Sequence, residues 1–245
     1  MKTISTFKHI LSIVVLAFAS VTTAFATTTL TNGGLTVYDS ASDATWTQNA
    51  NLLGTLESRD SNIINTIIND SNGVINTPNV LNPSGVYTLT TGDFGVNGVA
   101  DWWAAQGFVN YLNVTNYANL NNWSLPTQDA TCNGGYGCAP GQLANVFFGA
   151  VGGYNGIYST TNPFSNVQGY VYWSGTEWAS SPVASEIMVT NQFASEGYTL
   201  KNSQQYIWAV SNSAPVPLPG TIWMFLIGTF SMLWISDHRL KIIKK

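Results

Sequence analysis

Apolar and polar residues alternate through Gly34-Leu35-Thr36-Val37-Tyr38 and again through Ala44-Thr45-Trp46-Thr47, the two-residue period of half-buried strands. Asp39-Ser40-Ala41-Ser42-Asp43 between them has turn composition. The period then lengthens. Ile63, Ile64, Ile67 and Ile68 give residues 58–69 a narrow helical face, and Trp102, Ala105, Phe108, Val109 and Leu112 give residues 99–112 a broader one. Residues 72–97, full of Gly, Pro and Asn, read as loop. A shorter helix is predicted after Pro140, through Leu143, Val146 and Phe147 to Gly149. Strands follow at residues 170–173, 186–190 and 206–210. The expected fold is α+β: a twisted, mostly antiparallel sheet with two flanking helices and long loops.

The two ends break this pattern. Lys2 and Lys8 precede an apolar run over residues 10–19, and Ala24-Phe25-Ala26 follows it. This is the layout of a signal peptide cleaved after Ala26, with Ala24 and Ala26 as the small residues of the site. At the other end Val216-Pro217-Leu218-Pro219 leads into an apolar stretch and then a basic cluster, His238, Arg239, Lys241, Lys244 and Lys245. As a helix, residues 220–236 would reach roughly 26 Å, enough for a thin bilayer. The basic end would stay cytoplasmic. The expected organisation is a signal peptide (1–26), a secreted domain (27–212), a Pro-rich linker and sorting motif (213–219), a transmembrane helix (220–236) and a cytoplasmic tail (237–245).

Charge and cysteine content narrow the chemistry of the central region. Between residues 27 and 219 only Arg59 and Lys201 are basic, against eleven carboxylates, a net charge of −9. Such a surface repels phosphate backbones and excludes nucleic acid as a partner. Both histidines, His9 and His238, lie outside this region, which excludes Ser-His-Asp and Cys-His catalysis and makes a zinc centre a poor expectation. No cofactor is implied. Cys132 and Cys138, in Cys-Asn-Gly-Gly-Tyr-Gly-Cys, read as a local disulfide of an exported protein.

Two resemblances add to this reading. The ordered proline motif, apolar helix and basic end look like a PEP-CTERM sorting signal in a V-P-L-P variant, with Leu218 in place of the usual Glu. That resemblance implies processing by signal peptidase and then by an exosortase. The segments Gly34-Leu35-Thr36-Val37-Tyr38-Asp39, Asn122-Trp123-Ser124-Leu125-Pro126-Thr127, Tyr172-Trp173-Ser174-Gly175-Thr176-Glu177 and Ile207-Trp208-Ala209-Val210 together resemble a secreted bacterial domain family of unknown function. That family is typified by the C-terminal domain of the collagen-like adhesin Lcl. It implies a C-type-lectin-like fold shared with formylglycine-generating enzymes. Asn122 and Ser124 stand where the family has Asp and Arg, so a salt bridge there is lost, and residues 58–75 look like an insertion.

The expected function is non-catalytic: an exported cell-surface or matrix protein that binds an exopolysaccharide or another envelope component, held in the membrane by its C-terminal helix before processing. Trp173 and Trp208 are expected in the core, whereas Trp178 and Tyr198, in polar surroundings, are the candidate sugar platform with Glu177 beside them. One alternative is a glycoside hydrolase using a pair among Glu177, Glu186, Glu196, Asp101 and Asp129. Another is a calcium-stabilised structural module with oxygen ligands from residues 39–43 or 69–73.

Overall fold

The computed structural model describes residues 30–32, 34–40, 42–76, 85–128, 141–159, 161–178, 184–189 and 195–213. The signal segment, Asp129, Cys132, Cys138 and the C-terminal sorting segment lie outside the described residues. Among the described residues no helix is long and apolar enough to cross a membrane.

The fold is α+β, with two five-stranded sheets where the pattern predicts one. The first has the order β1-β2-β3-β12-β7, built from Leu30–Asn32, Thr36–Asp39, Ala44–Thr47, Val210–Ser211 and Trp123–Ser124. The second has the order β10-β9-β8-β11-β6, built from Ser195–Leu200, Ala184–Val189, Val171–Glu177, Gln205–Tyr206 and Val99–Ala100. All pairs are antiparallel except β11 with β8, where Tyr206 faces Tyr172. A separate hairpin, β4 (Val74–Asn76) with β5 (Val86–Thr88), occupies part of the predicted loop. Its strands are short, which is why Gly and Asn dominate the surrounding pattern.

The predicted strand over residues 206–210 is instead a crossing between sheets. Gln205 and Tyr206 belong to the second sheet and Val210 and Ser211 to the first. Between them Ile207, Trp208 and Ala209 are buried and divide between two cores. Ile207 and Ala209 join Trp173 and the helices Leu52–Arg59 (α1), Ile63–Asp70 (α2) and Trp102–Val114 (α3). Trp208 joins Trp46, Tyr172, Leu143 and Phe147 on the other side. A segment covered on both faces needs no polar alternation, so Ile-Trp-Ala-Val reads as a continuous apolar run.

The Trp payload dominates both cores. Trp173 and Trp208 are fully buried, and their indole N–H groups donate to Ala100 O at 2.7 Å and Thr47 O at 3.0 Å. Each ring removes on the order of 200 Å² from water, a gross gain of about 5 kcal/mol. Trp46 meets Trp208 edge-on with ring centroids 5.4 Å apart, and Phe164 does the same at 4.8 Å.

Two helix expectations change. The predicted helix over 58–69 is the last two residues of α1 and nearly all of α2, separated by residues 60–62, where the Asp60 carboxylate accepts from Asn62 N at 2.8 Å. α1 escapes the pattern because its apolar stripe, Leu52, Leu53 and the half-buried Leu56, spans little more than one turn; its start is fixed by Asn51, whose side chain accepts from Gly54 N. α3 begins at Trp102, not Val99, since Asp101 caps it through a 2.8 Å bond from Ala104 N. Gly107 lets Leu89 seat closely on α3: a Cβ there would sit 3.0 Å from the Leu89 side chain, while Ile67 of α2, at 3.6 Å, would be in ordinary contact. After Gly141 the predicted short helix runs over Gln142–Ala144 (α4) and continues as π-helix over Asn145–Val151, burying Leu143, Val146 and Phe147.

Candidate functional site

Trp178 and Tyr198, the two candidate platform residues, lie against each other. Their rings stack with centroids 3.6 Å apart and planes 6° from parallel. Trp178 directly follows the long strand β8, while Tyr198 lies on β10, the edge strand of the sheet. β9 lies between the two strands, and Tyr198 is in register with Glu186. Tyr198 is 47% exposed, and the buried Trp178 indole N–H has no hydrogen-bond partner. Two residues earlier Thr176 is clasped to Gln128: its hydroxyl accepts from Gln128 N at 2.9 Å and donates to Gln128 O at 3.1 Å. The buried Gln128 side-chain amide has no partner for either its O or its N.

Glu177 turns to a different neighbour. Its Oε1 lies 2.7 Å from Lys201 Nζ, and that ammonium sits 3.9 Å above the centroid of the Trp102 ring. The Trp102 indole donates to Ser174 O at 2.9 Å, and its backbone N donates to Lys201 O at 2.9 Å, so β8, α3 and the turn after β10 are tied at one point. Burial pushes the Lys201 pKa down, while the bond to Glu177 and its charge push it up; the net direction is down. Lys201 and Trp102 are absent from the sequence-level candidates. The available signal is that Lys201 is one of two cations between residues 27 and 219. A cation so isolated in a Trp-rich domain finds its counter-ion and its ring inside.

Asp101, a candidate acid from sequence, is buried at the N-terminus of α3. The Tyr87 hydroxyl reaches Asp93 Oδ1 at 2.9 Å and Asp101 Oδ2 at 3.3 Å, and one phenolic proton serves only one of them at a time. Tyr87 itself stacks on Trp103, centroids 4.1 Å apart. Burial raises the Asp101 pKa to about 7; the Asp93 charge adds to the rise, and the Ala104 N–H and Tyr87 bonds oppose it. Glu186 and Glu196 lie on β9 and β10, Glu196 in register with Met188.

The acidic turns use their oxygens internally. Ser42 Oγ donates to Asp39 Oδ2 at 2.6 Å, and Tyr38 OH donates to Asp43 Oδ1 at 2.7 Å. Among the described residues no three His, Cys, Asp or Glu side chains converge as a metal site would require. Where the family resemblance places a charged pair, this chain has neutral bonds: Asn122 takes a bond from Ser211 Oγ and gives one to Ser213 Oγ, and Ser124 Oγ donates to Val210 O. These tie β7 to the closing strand β12 without charge.

Comparison with known protein families, with curated proteins and with solved structures finds no match to this chain.

Proposed function

We propose that this is an exported cell-surface or matrix protein whose C-type-lectin-like domain binds polysaccharide through the Trp178–Tyr198 pair, without catalysis. Signal peptidase and an exosortase process it at its two ends, and its C-terminal helix holds it in the membrane until then. The observation that carries the binding reading is the stacked pair: Trp178 backs Tyr198 at 3.6 Å, and Tyr198 remains 47% exposed at the sheet edge. A sugar ring offers a face of C–H bonds to such a ring and hydroxyls to nearby amides. A Tyr backed by a second ring is already rigid, so a ligand orders little on binding. The lectin-like reading is supported by the way the separated motifs converge. Residues 36–39, Trp46, Trp123–Ser124 and Val210 occupy four neighbouring strands of one sheet.

The test is size-exclusion of the purified full-length protein with the producing cell's exopolysaccharide. Co-elution at unchanged polymer size, lost in Tyr198→Ala, is expected. Polymer that shortens would favour the hydrolase reading, and separate elution of both components would end the binding proposal.

A further inference from the structure

A cleft of about 360 Å³ lies between the end of α1, the start of α2 and the Gly95–Asn97 loop. It is built by close backbone approach. Asn97 and Gly98 both take positive φ, 64° and 84°, which brings Gly98 N within 2.9 Å of Glu57 Oε2. Asn51 locks the same loop, donating from Nδ2 to Asn97 O at 3.1 Å while capping α1. The cleft walls are therefore fixed by hydrogen bonds from both sides.

Its chemistry is one-sided. Glu57 has one oxygen on Gly98; the other, Oε1, is buried and accepts from nothing. Asp60 offers its second carboxylate oxygen, since Oδ1 takes Asn62 N. The Ser58 hydroxyl spends its proton on Thr55 O at 2.7 Å and presents lone pairs, and Ser61 adds a second hydroxyl to the wall. Among the described residues no Lys or Arg lines the cleft. Val96, 78% exposed, and Ile64 give it an apolar edge. Two carboxylates with no cation beside them in the wall, and an apolar lip, disfavour phosphate, sulfate and uronic acids. They suit a ligand that brings several N–H donors and a positive charge on a body with C–H faces. Burial also raises the Glu57 pKa, against the pull of the Gly98 N–H, as an under-served carboxyl should.

We propose that this cleft is a binding site for the primary ammonium of an amino sugar, as in a partly deacetylated polysaccharide, with Glu57 and Asp60 as its counter-charges. The site uses none of the residues of the Trp178–Tyr198 pair. Either can exist without the other.

The experiment titrates the full-length protein with glucosamine, N-acetylglucosamine and glucose, followed by NMR or calorimetry. Glucosamine is expected to bind at least about 10-fold more tightly than the two neutral sugars. Glu57→Gln, which keeps an acceptor for Gly98 N–H, should weaken it about 10-fold. Val96→Trp, at an exposed loop position, should block the cleft in a folded protein, while Tyr198→Ala should change nothing. Equal affinity for glucosamine and N-acetylglucosamine, calcium competing as well as glucosamine, or glucosamine binding untouched in both Glu57→Gln and Val96→Trp would each overturn the assignment.

Discussion

The Lys201 ammonium is fully buried, 2.7 Å from Glu177 Oε1, while the Glu177 side chain remains 37% exposed. The pair is asymmetric: the cation has no access to water, and the anion has some. Losing the anion should therefore hurt more than losing the cation. Glu177→Gln leaves a buried ammonium with a neutral amide oxygen and the Trp102 face in place of a counter-charge, and we expect a loss of about 2 kcal/mol, below the usual range for a broken buried pair because an acceptor remains and solvent reaches position 177. Lys201→Met keeps the aliphatic stem over Trp102 and should cost under about 1 kcal/mol. Urea unfolding of the two variants decides the order; the reverse order would mean that solvent reaches the ammonium.

Asp101 makes stability depend on pH in a specific direction. Its folded pKa, raised to about 7, lies above the ordinary carboxylate value of 3.8. Between those values the folded state holds the proton and the unfolded state does not, so this group's contribution to stability falls as pH rises from about 4 to about 7. The loss is complete above 7. Asp101→Asn keeps a good helix N-cap and removes the charge. It should raise stability at pH 8 by up to about 4 kcal/mol and leave it nearly unchanged at pH 4. Denaturation at both pH values is the check, and a gain of equal size at each would separate the effect from Asp101 ionisation.

Tyr198 and Trp208 should behave oppositely although both are aromatic residues in the motif-rich half of the chain. Tyr198→Ala removes a half-exposed ring and should change stability by less than about 1 kcal/mol while abolishing polymer binding. Trp208→Ala empties the centre of the second core, where the ring meets Trp46, Phe164 and Tyr172, and should cost about 4 kcal/mol. Thermal melting beside a binding assay separates them. A destabilised Tyr198→Ala would mean the stacked pair is a packing feature.

The contrast between those two residues also marks what was legible from sequence. Trp173 and Trp208 read as core because large aromatics on strands are commonly buried, and Tyr198 reads as exposed because its neighbours are polar; Trp178, read the same way, is half-buried with its indole N–H covered. The buried face of α3 follows directly from period; the strand Ala44–Thr47 is found where its alternation places it, but all four of its residues are buried, Thr45 and Thr47 included. What period does not carry is partnership. The division of residues 205–211 between two sheets depends on which strands wait on either side, and the Lys201–Glu177 and Asp93–Tyr87–Asp101 contacts join residues on different elements at separations that match no helix or strand period. α1 gives a weak signal because its apolar stripe, Leu52, Leu53 and Leu56, spans little more than one turn, and its start is marked by Asn51, a capping residue. The cleft was invisible for a related reason, since it is made by left-handed backbone at Asn97 and Gly98.

That backbone gives the last prediction. Gly98 (φ +84°) and Gly73 (φ +72°) share a conformation that costs a side chain about 1 kcal/mol. They differ in surroundings. Nothing lies within 4 Å of a Cβ at Gly73, whereas one at Gly98 would overlap Asn51 Oδ1 and come within 2.8 Å of Gly54 Cα. Gly73→Ala should therefore cost about 1 kcal/mol, and Gly98→Ala about 3, because the added methyl also drives Asn51 from the α1 cap and Glu57 from the Gly98 N–H. Chemical denaturation of both variants measures the difference directly. Equal costs would mean that α1 and the loop stand further apart, and the cleft with its two carboxylates would lose the scaffold that defines it.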